Sequence, residues 1–203
     1  MTFKALKCAA AAALLAMAGA AGATTITFDS LTNPGEWAVH ADTYVEQGFS
    51  FDATLRNSGD ALYSWGTGSI ANADPDGATL SENYDGYGIR VTRAGGGSFA
   101  LTSFDLANGY NDATGGTVRF SYTDATGTHD SVLTLADASG LQTFTFNYTG
   151  VTSFTLYDDV FQVDNVRVDA QGSAATPVPE PSSYALMLAG LAGAIGLSRR
   201  RKA

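Results

Sequence analysis

The sequence predicts an all-β fold, a β-sandwich or jelly roll, and three observations carry that prediction. Apolar and polar residues alternate with period two in several segments, turn-forming clusters separate those segments at regular spacing, and no stretch of the central region has helical periodicity. The clearest alternation is Thr143-Phe144-Thr145-Phe146-Asn147-Tyr148, which puts Phe144, Phe146 and Tyr148 on one face. Strands at this spacing close into a two-sheet sandwich or a jelly roll.

Taken along the chain, the expected early strands are residues 25–28, 49–51, 88–92 and 98–106. Residues 52–87 are rich in Asn, Asp, Gly and Ser and read as long loops. Val118, Phe120 and Tyr122 then alternate, as do Leu133 with Leu135 and Phe154 with Leu156. Between them lie the turn clusters Asp124-Ala125-Thr126-Gly127, Asp137-Ala138-Ser139-Gly140 and Thr149-Gly150. The closing strand breaks parity: Phe161 and Val163 share one face, but Val166 and Val168 share the other. Both pairs reach one core only if a bulge falls near Asp164-Asn165.

Both chain ends read as something other than folded domain. Residues 1–23 have the order of a secretory signal peptide: Lys4 and Lys7, an apolar run over residues 9–18, then Ala21-Gly22-Ala23 as a small-x-small cleavage site. Signal peptidase would leave Thr24 first in the mature chain. Residues 24–172 are the expected β-sandwich domain and residues 173–181 a Pro-rich linker. Residues 182–198 form an uncharged segment at the short limit for a membrane-spanning helix, and residues 199–203 a basic tail. That tail, Arg199-Arg200-Arg201-Lys202, would stay in the cytoplasm, while the apolar segment inserts the precursor transiently in the inner membrane.

Charge is segregated in the same way. Residues 24–178 hold five Arg, no Lys and nineteen acids, a net charge of −14. Such a field repels phosphate backbones, which excludes nucleic acid as a partner, and favours cations such as Ca²⁺. The only cysteine is Cys8, in the signal segment, so the domain has no disulfide and no thiolate metal site.

The C-terminal arrangement of Val178-Pro179-Glu180-Pro181, a short apolar segment and an Arg cluster resembles the PEP-CTERM sorting signal over residues 178–202. The resemblance implies an exosortase, a membrane cysteine protease of exopolysaccharide-producing Gram-negative bacteria, as processing partner. Pro179, Glu180 and Pro181 would be its recognition element, and the mature protein would keep no membrane helix. Ile26-Thr27-Phe28-Asp29, Tyr44-x-x-x-Gly48-Phe49 and Gln162-Val163-Asp164-Asn165-Val166 resemble the globular region of such proteins. The closing strand is also similar to the end of galactose-binding-like and carbohydrate-binding jelly rolls. In those, a structural Ca²⁺ ties the first strand to the last.

Candidate sites follow from these patterns. Asp164, re-aimed by the bulge, and Asp29 on the first strand are candidate calcium ligands; the other reading is that Asp164 and Asn165 cap backbone groups there without metal. Asn72-x-Asp74-x-Asp76-Gly77 resembles the first half of an EF-hand loop, but position twelve is Asn83, and an acidic surface turn is the better reading. Tyr63, Trp65, Tyr84 and Tyr87, set among Asn, Asp and Gly, are candidate carbohydrate-binding rings, with Tyr63 and Trp65 alternatively in the core. Enzyme signatures are thin: Gly96-x-Ser98-x-Ala100 lies in an expected strand, and His40 and His129 are the only histidines. The sequence therefore reads as a non-enzymatic exported surface or matrix protein associated with exopolysaccharide or biofilm, or alternatively as a carbohydrate-binding module for extracellular polysaccharide.

Overall fold

The computed structural model describes residues 23–54, 61–82, 87–157 and 160–169. Along them run β1 (Thr24–Ile26), a 3-10 turn (Asp29–Leu31), β2 (Trp37–His40), β3 (Thr43–Glu46), β4 (Phe49–Ala53), β5 (Leu62–Trp65), β6 (Thr79–Glu82), β7 (Gly88–Arg93), β8 (Phe99–Asn108), β9 (Gly116–Asp124), β10 (Gly127–Leu135), β11 (Gln142–Val151), β12 (Ser153–Tyr157) and β13 (Phe161–Asp169). They form two antiparallel sheets, a β-sandwich. One, sheet A, has the order β11-β8-β13-β6-β5-β2, with β1 also paired to β13; the other, sheet B, has the order β10-β9-β12-β7-β4-β3.

Period-two alternation builds the core. Phe49 and Phe51 on β4, Ile89 and Val91 on β7, Val118 and Phe120 on β9, and Phe154 and Leu156 on β12 point inward from sheet B. Leu62, Leu80, Leu101, Phe104, Leu106, Val163, Val166 and Val168 meet them from sheet A. Phe104 is the hub: its ring lies 4.7 Å from Phe146, 5.6 Å from Phe120 and 5.8 Å from Phe154. At the β10 and β11 end of the two sheets, aromatic rings stack. Tyr122 lies 4.3 Å from Tyr148 and 4.7 Å from His129.

Residues 52–87 depart from the loop expectation. They contribute the end of β4 and all of β5 and β6, and β5 and β6 sit inside sheet A. Their sequences, Leu-Tyr-Ser-Trp and Thr-Leu-Ser-Glu, show no apolar–polar alternation because both faces are covered. The outer face of β6 lies against the 66–78 loop, so its Thr79 and Ser81 are buried but hydrogen-bonded. Thr79 donates to Gln162 Oε1 at 2.6 Å, and Ser81 donates to the Phe161 carbonyl. The first strand also stops earlier than expected, because Phe28 turns to φ 54°.

The bulge lies where parity requires it. The β13–β8 register shifts between Asp164 and Arg167, and Asn165 takes φ 48°. Asn tolerates this left-handed conformation better than most residues. Val163 and Val166 consequently both reach the core.

Phe104→Ala should cost about 3–5 kcal/mol, since it removes the ring at the centre of the cluster and leaves a cavity. Val132→Ser, on the exposed face of β10, should change stability by no more than about 0.5 kcal/mol. Urea unfolding of the purified variants checks both, with a lower midpoint at unchanged slope expected for the first.

Candidate functional site

The bulge is also where β13 changes neighbours. β6 pairs with Gln162 and Val163, whereas β1 pairs with Val166 through Val168 on the same edge. Asp164 falls in the interval between them, on the outer face of sheet A, and is 1 % exposed. Its Oδ1 accepts the Asn165 backbone N–H at 2.6 Å and its Oδ2 accepts Asn165 Nδ2 at 3.3 Å. Asp105 stands directly opposite on β8. Asp29 comes from the 3-10 turn after β1, held by Thr27 Oγ1 at 2.8 Å, and Asp74 comes from the 66–78 loop. The charges of Asp74, Asp29 and Asp105 all act on Asp164, but burial is the larger effect, and together they raise its carboxyl to about 8.

Gly77 explains how two of these carboxylates come together. A Cβ at that position would lie 2.4 Å from Asp74 Oδ2 and 2.5 Å from Asp29 Oδ1, so a side chain there would displace both. The tip of the turn, Pro75 and Asp76, is exposed, as the sequence suggested, while Asn72 and Ala73 before it are buried against the sheet. Asn72 is buried and accepts the Asp74 N–H at 3.1 Å, and Gln162 accepts the Ala73 N–H at 3.0 Å while donating to the Ala71 carbonyl at 2.6 Å. Nothing in the Asn-x-Asp-x-Asp-Gly string reveals that anchor, which lies on the last strand.

Among the described residues, no three His, Cys, Asp or Glu side chains are disposed to hold a metal ion by themselves. The donor chemistry at the seam nevertheless suits a hard cation. Ca²⁺ takes six to eight oxygens, a shell that backbone carbonyls and water complete around a few carboxylates. Asp29 and Asp164, singled out in the sequence, are neighbours here; Asp74 and Asp105 were not recognised as belonging with them.

The candidate carbohydrate-binding rings divide between two faces. Tyr63 and Trp65 share the outer face of sheet A, 5.3 Å apart and edge-on, outside the sandwich core. Burial pushes the Tyr63 phenol up to about 12. Trp37 on β2 pairs directly with Trp65, and Tyr110 packs against Trp65 at 6.3 Å, so four rings gather there. The sequence reading missed Trp37 and Tyr110; the signal available was the pairing of one Trp-containing strand with another. Tyr87 lies instead at a recess on the outer face of sheet B, with Thr54, Ser121, Thr155 and Tyr157. Arg119 sits over the Tyr157 ring at 4.6 Å. Tyr84 lies outside the described residues.

The histidines are not placed as a catalytic set. His40 Nε2 lies 2.9 Å from Ser64 Oγ, but Ser64 is fully buried, and burial holds the His40 imidazole below its ordinary value. His129 sits on the exposed β9–β10 hairpin, 3.3 Å from Asp124. Asp124 is held down at about 2, mainly by hydrogen bonds from Thr126.

Ala23 and Thr24 are described, with Thr24 opening β1. Ala21 and the sorting triplet Pro179, Glu180 and Pro181 lie outside the described residues, as do the linker, apolar segment and basic tail. Among the described residues, no helix is long and apolar enough to cross a membrane.

Together these features define an antiparallel β-sandwich with an acidic seam. Residues 177–202 match the family model described as the PEP-CTERM protein-sorting motif. The chain therefore carries that motif, which implies export, a membrane-anchored precursor and processing by an exosortase, a membrane protease. No curated protein matches the chain. Among solved structures, it is similar to the enzymatically active domain of tailspike protein 4 of bacteriophage CBA120. That likeness has 9 % identity and a TM-score of 0.30, and covers 70 % of this chain and 20 % of the other. The chain thus spans about a fifth of that structure's length, and so low a TM-score carries no argument.

The shift at Asp164 has a definite sign. An unfolded Asp ionises near about 3.9, so between about 4 and about 8 the folded state keeps a proton that the unfolded chain releases. This contribution to stability is present below the lower value and is lost as pH rises through the upper one. With divalent ions chelated, the thermal midpoint should fall between roughly pH 5 and pH 8.5. Asp164→Asn should flatten that decline, as read by calorimetry across the pH series.

Proposed function

We propose that this chain is an exported, non-enzymatic surface or matrix protein of a Gram-negative bacterium, released by an exosortase-type system and associated with exopolysaccharide in a biofilm. The observation that carries the reading is a sorting motif at residues 177–202 on the same chain as a β-sandwich. The burial of Ser64 beside His40 supports a role without catalysis.

A structural Ca²⁺ belongs to this proposal. Asp29 and Asp164 would hold it, with backbone carbonyls or water completing the shell. The ion would neutralise carboxylates that otherwise repel one another and would tie β13 to the segment after β1. A second reading, a carbohydrate-binding module, is favoured by one observation: Trp37 and Tyr110 are 55 % and 66 % exposed beside Tyr63 and Trp65.

Intact mass spectrometry of the surface-released protein should give a chain that begins at Thr24 and lacks residues 184–203. Finding Arg199 through Lys202 in released material would defeat the sorting reading, and Glu180→Ala should accumulate precursor in the inner-membrane fraction. For the ion, CaCl₂ should raise the thermal midpoint above NaCl at matched ionic strength, with about 2.7 kcal/mol gained at a hundredfold excess over Kd. Equal effects of the two salts, or a calcium effect that survives Asp164→Asn, would remove calcium from the proposal.

A further inference from the structure

The outer face of sheet A carries rings that the core does not use. Trp37 and Val39 of β2 stand opposite Trp65 and Tyr63 of β5 on that face, with Tyr110 beyond Trp65. β2 is the edge strand of the sheet, so Trp37 lies at an open rim. Ring types are sorted across the molecule. The described Phe side chains are buried or half-buried, and the rings left exposed are Trp37, Tyr87 and Tyr110. Rings with a polar tip are suited to a surface that is apolar on its flat side and wet at its edge.

We propose that Trp37, Trp65 and Tyr110 form a stacking platform for a neutral polysaccharide chain. The proposal rests on the carbohydrate-binding reading given above and names the ligand class and the surface. Pyranose rings present C–H faces that lie flat on aromatic rings, and their hydroxyls need hydrogen-bonding groups alongside. Tyr110 borders a recess of about 260 Å³ whose lining includes Asn108, Asp112 and Thr114. Tyr110 therefore lies between the aromatic row and a flank of amide, carboxylate and hydroxyl groups.

Charge selects the neutral class. Among the described residues, the cationic side chains are Arg90 and Arg93 on β7 and Arg119 on β9, all in sheet B, and Arg167 on β13 beside β1. Glu36 precedes Trp37 and Asp112 follows Tyr110, within a domain of net charge −14. A uronic-acid polymer would meet repulsion without a counter-charge at the platform. A neutral chain meets only the rings and their polar flank.

Affinity electrophoresis of the purified protein tests this, with gels containing a soluble β-glucan, a galactomannan, a xylan or alginate. At least one of the three neutral polymers should retard the protein, and alginate should not. Trp37→Ala with Tyr110→Ala should weaken the retardation at least about tenfold, or ~1.4 kcal/mol. The thermal midpoint should stay unchanged, because both rings are exposed. Tyr87→Ala, on the opposite face, should bind as the wild type does. If none of the neutral polymers retards the wild type, the carbohydrate reading itself fails. Retardation that survives the double substitution but is lost in Tyr87→Ala places the glycan on sheet B and overturns the platform alone. Retardation by alginate equal to that by the neutral polymers overturns the charge argument. A wild-type dimer in sedimentation that Trp37→Ala converts to monomer makes the face a self-association surface and overturns the proposal.

Discussion

The sandwich depends on how β13 satisfies its neighbours. One of its edges is held by β8, and its other edge is shared in succession by β6 and β1. A regular strand could not do this and also bury Phe161, Val163, Val166 and Val168 in one core. The left-handed residue Asn165 resolves the conflict by inserting a position at the handover. The consequence is that Asp164 falls between the β6 and β1 pairings, on the outer face, with Asp105 opposite it on β8. Burial, with Asp74, Asp29 and Asp105 nearby, disfavours a charge on Asp164, so this corner is where the fold holds unfavourable electrostatics.

The rest of sheet A is organised around that corner. Gln162, two residues before the bulge, fastens the 66–78 loop through its side-chain amide. The docked loop brings Asp74 to Asp29, and the bare Cα of Gly77 leaves room for both. The same loop covers the outer face of β6, which is why that strand tolerates Thr79 and Ser81 in full burial. On sheet B the outer face carries Ser121, Thr155, Arg90 and Arg119 in the open pattern expected of a solvated sheet face.

The lack of cysteine in the domain fits this economy. A secreted domain of this length has enough core to fold without disulfides. The aromatic cluster around Phe104 and Phe120 supplies that core, and the Tyr148–Tyr122–His129 stack lies at the β10 and β11 end of the two sheets.

The sequence by itself determined the all-β class, the later strands, the bulge, and the sorting motif. Each of these is written in local order: period-two alternation at Phe144, Phe146 and Tyr148, a parity break at Asp164-Asn165, and a Pro-Glu-Pro string before an apolar run and arginines. The strands β5 and β6 were not legible, because alternation appears only when one face of a strand meets water, and theirs are covered on both. Only the tertiary structure decided that Asp74 joins Asp29 and Asp164, that Tyr63 and Trp65 gather Trp37 and Tyr110, and that Tyr87 lies on the other sheet. These groupings depend on strand order and loop docking, which bring together residues far apart in the chain, such as Ala73 and Gln162, 89 positions apart. Local pattern says which way a side chain points relative to its own strand; it does not say which strand lies alongside.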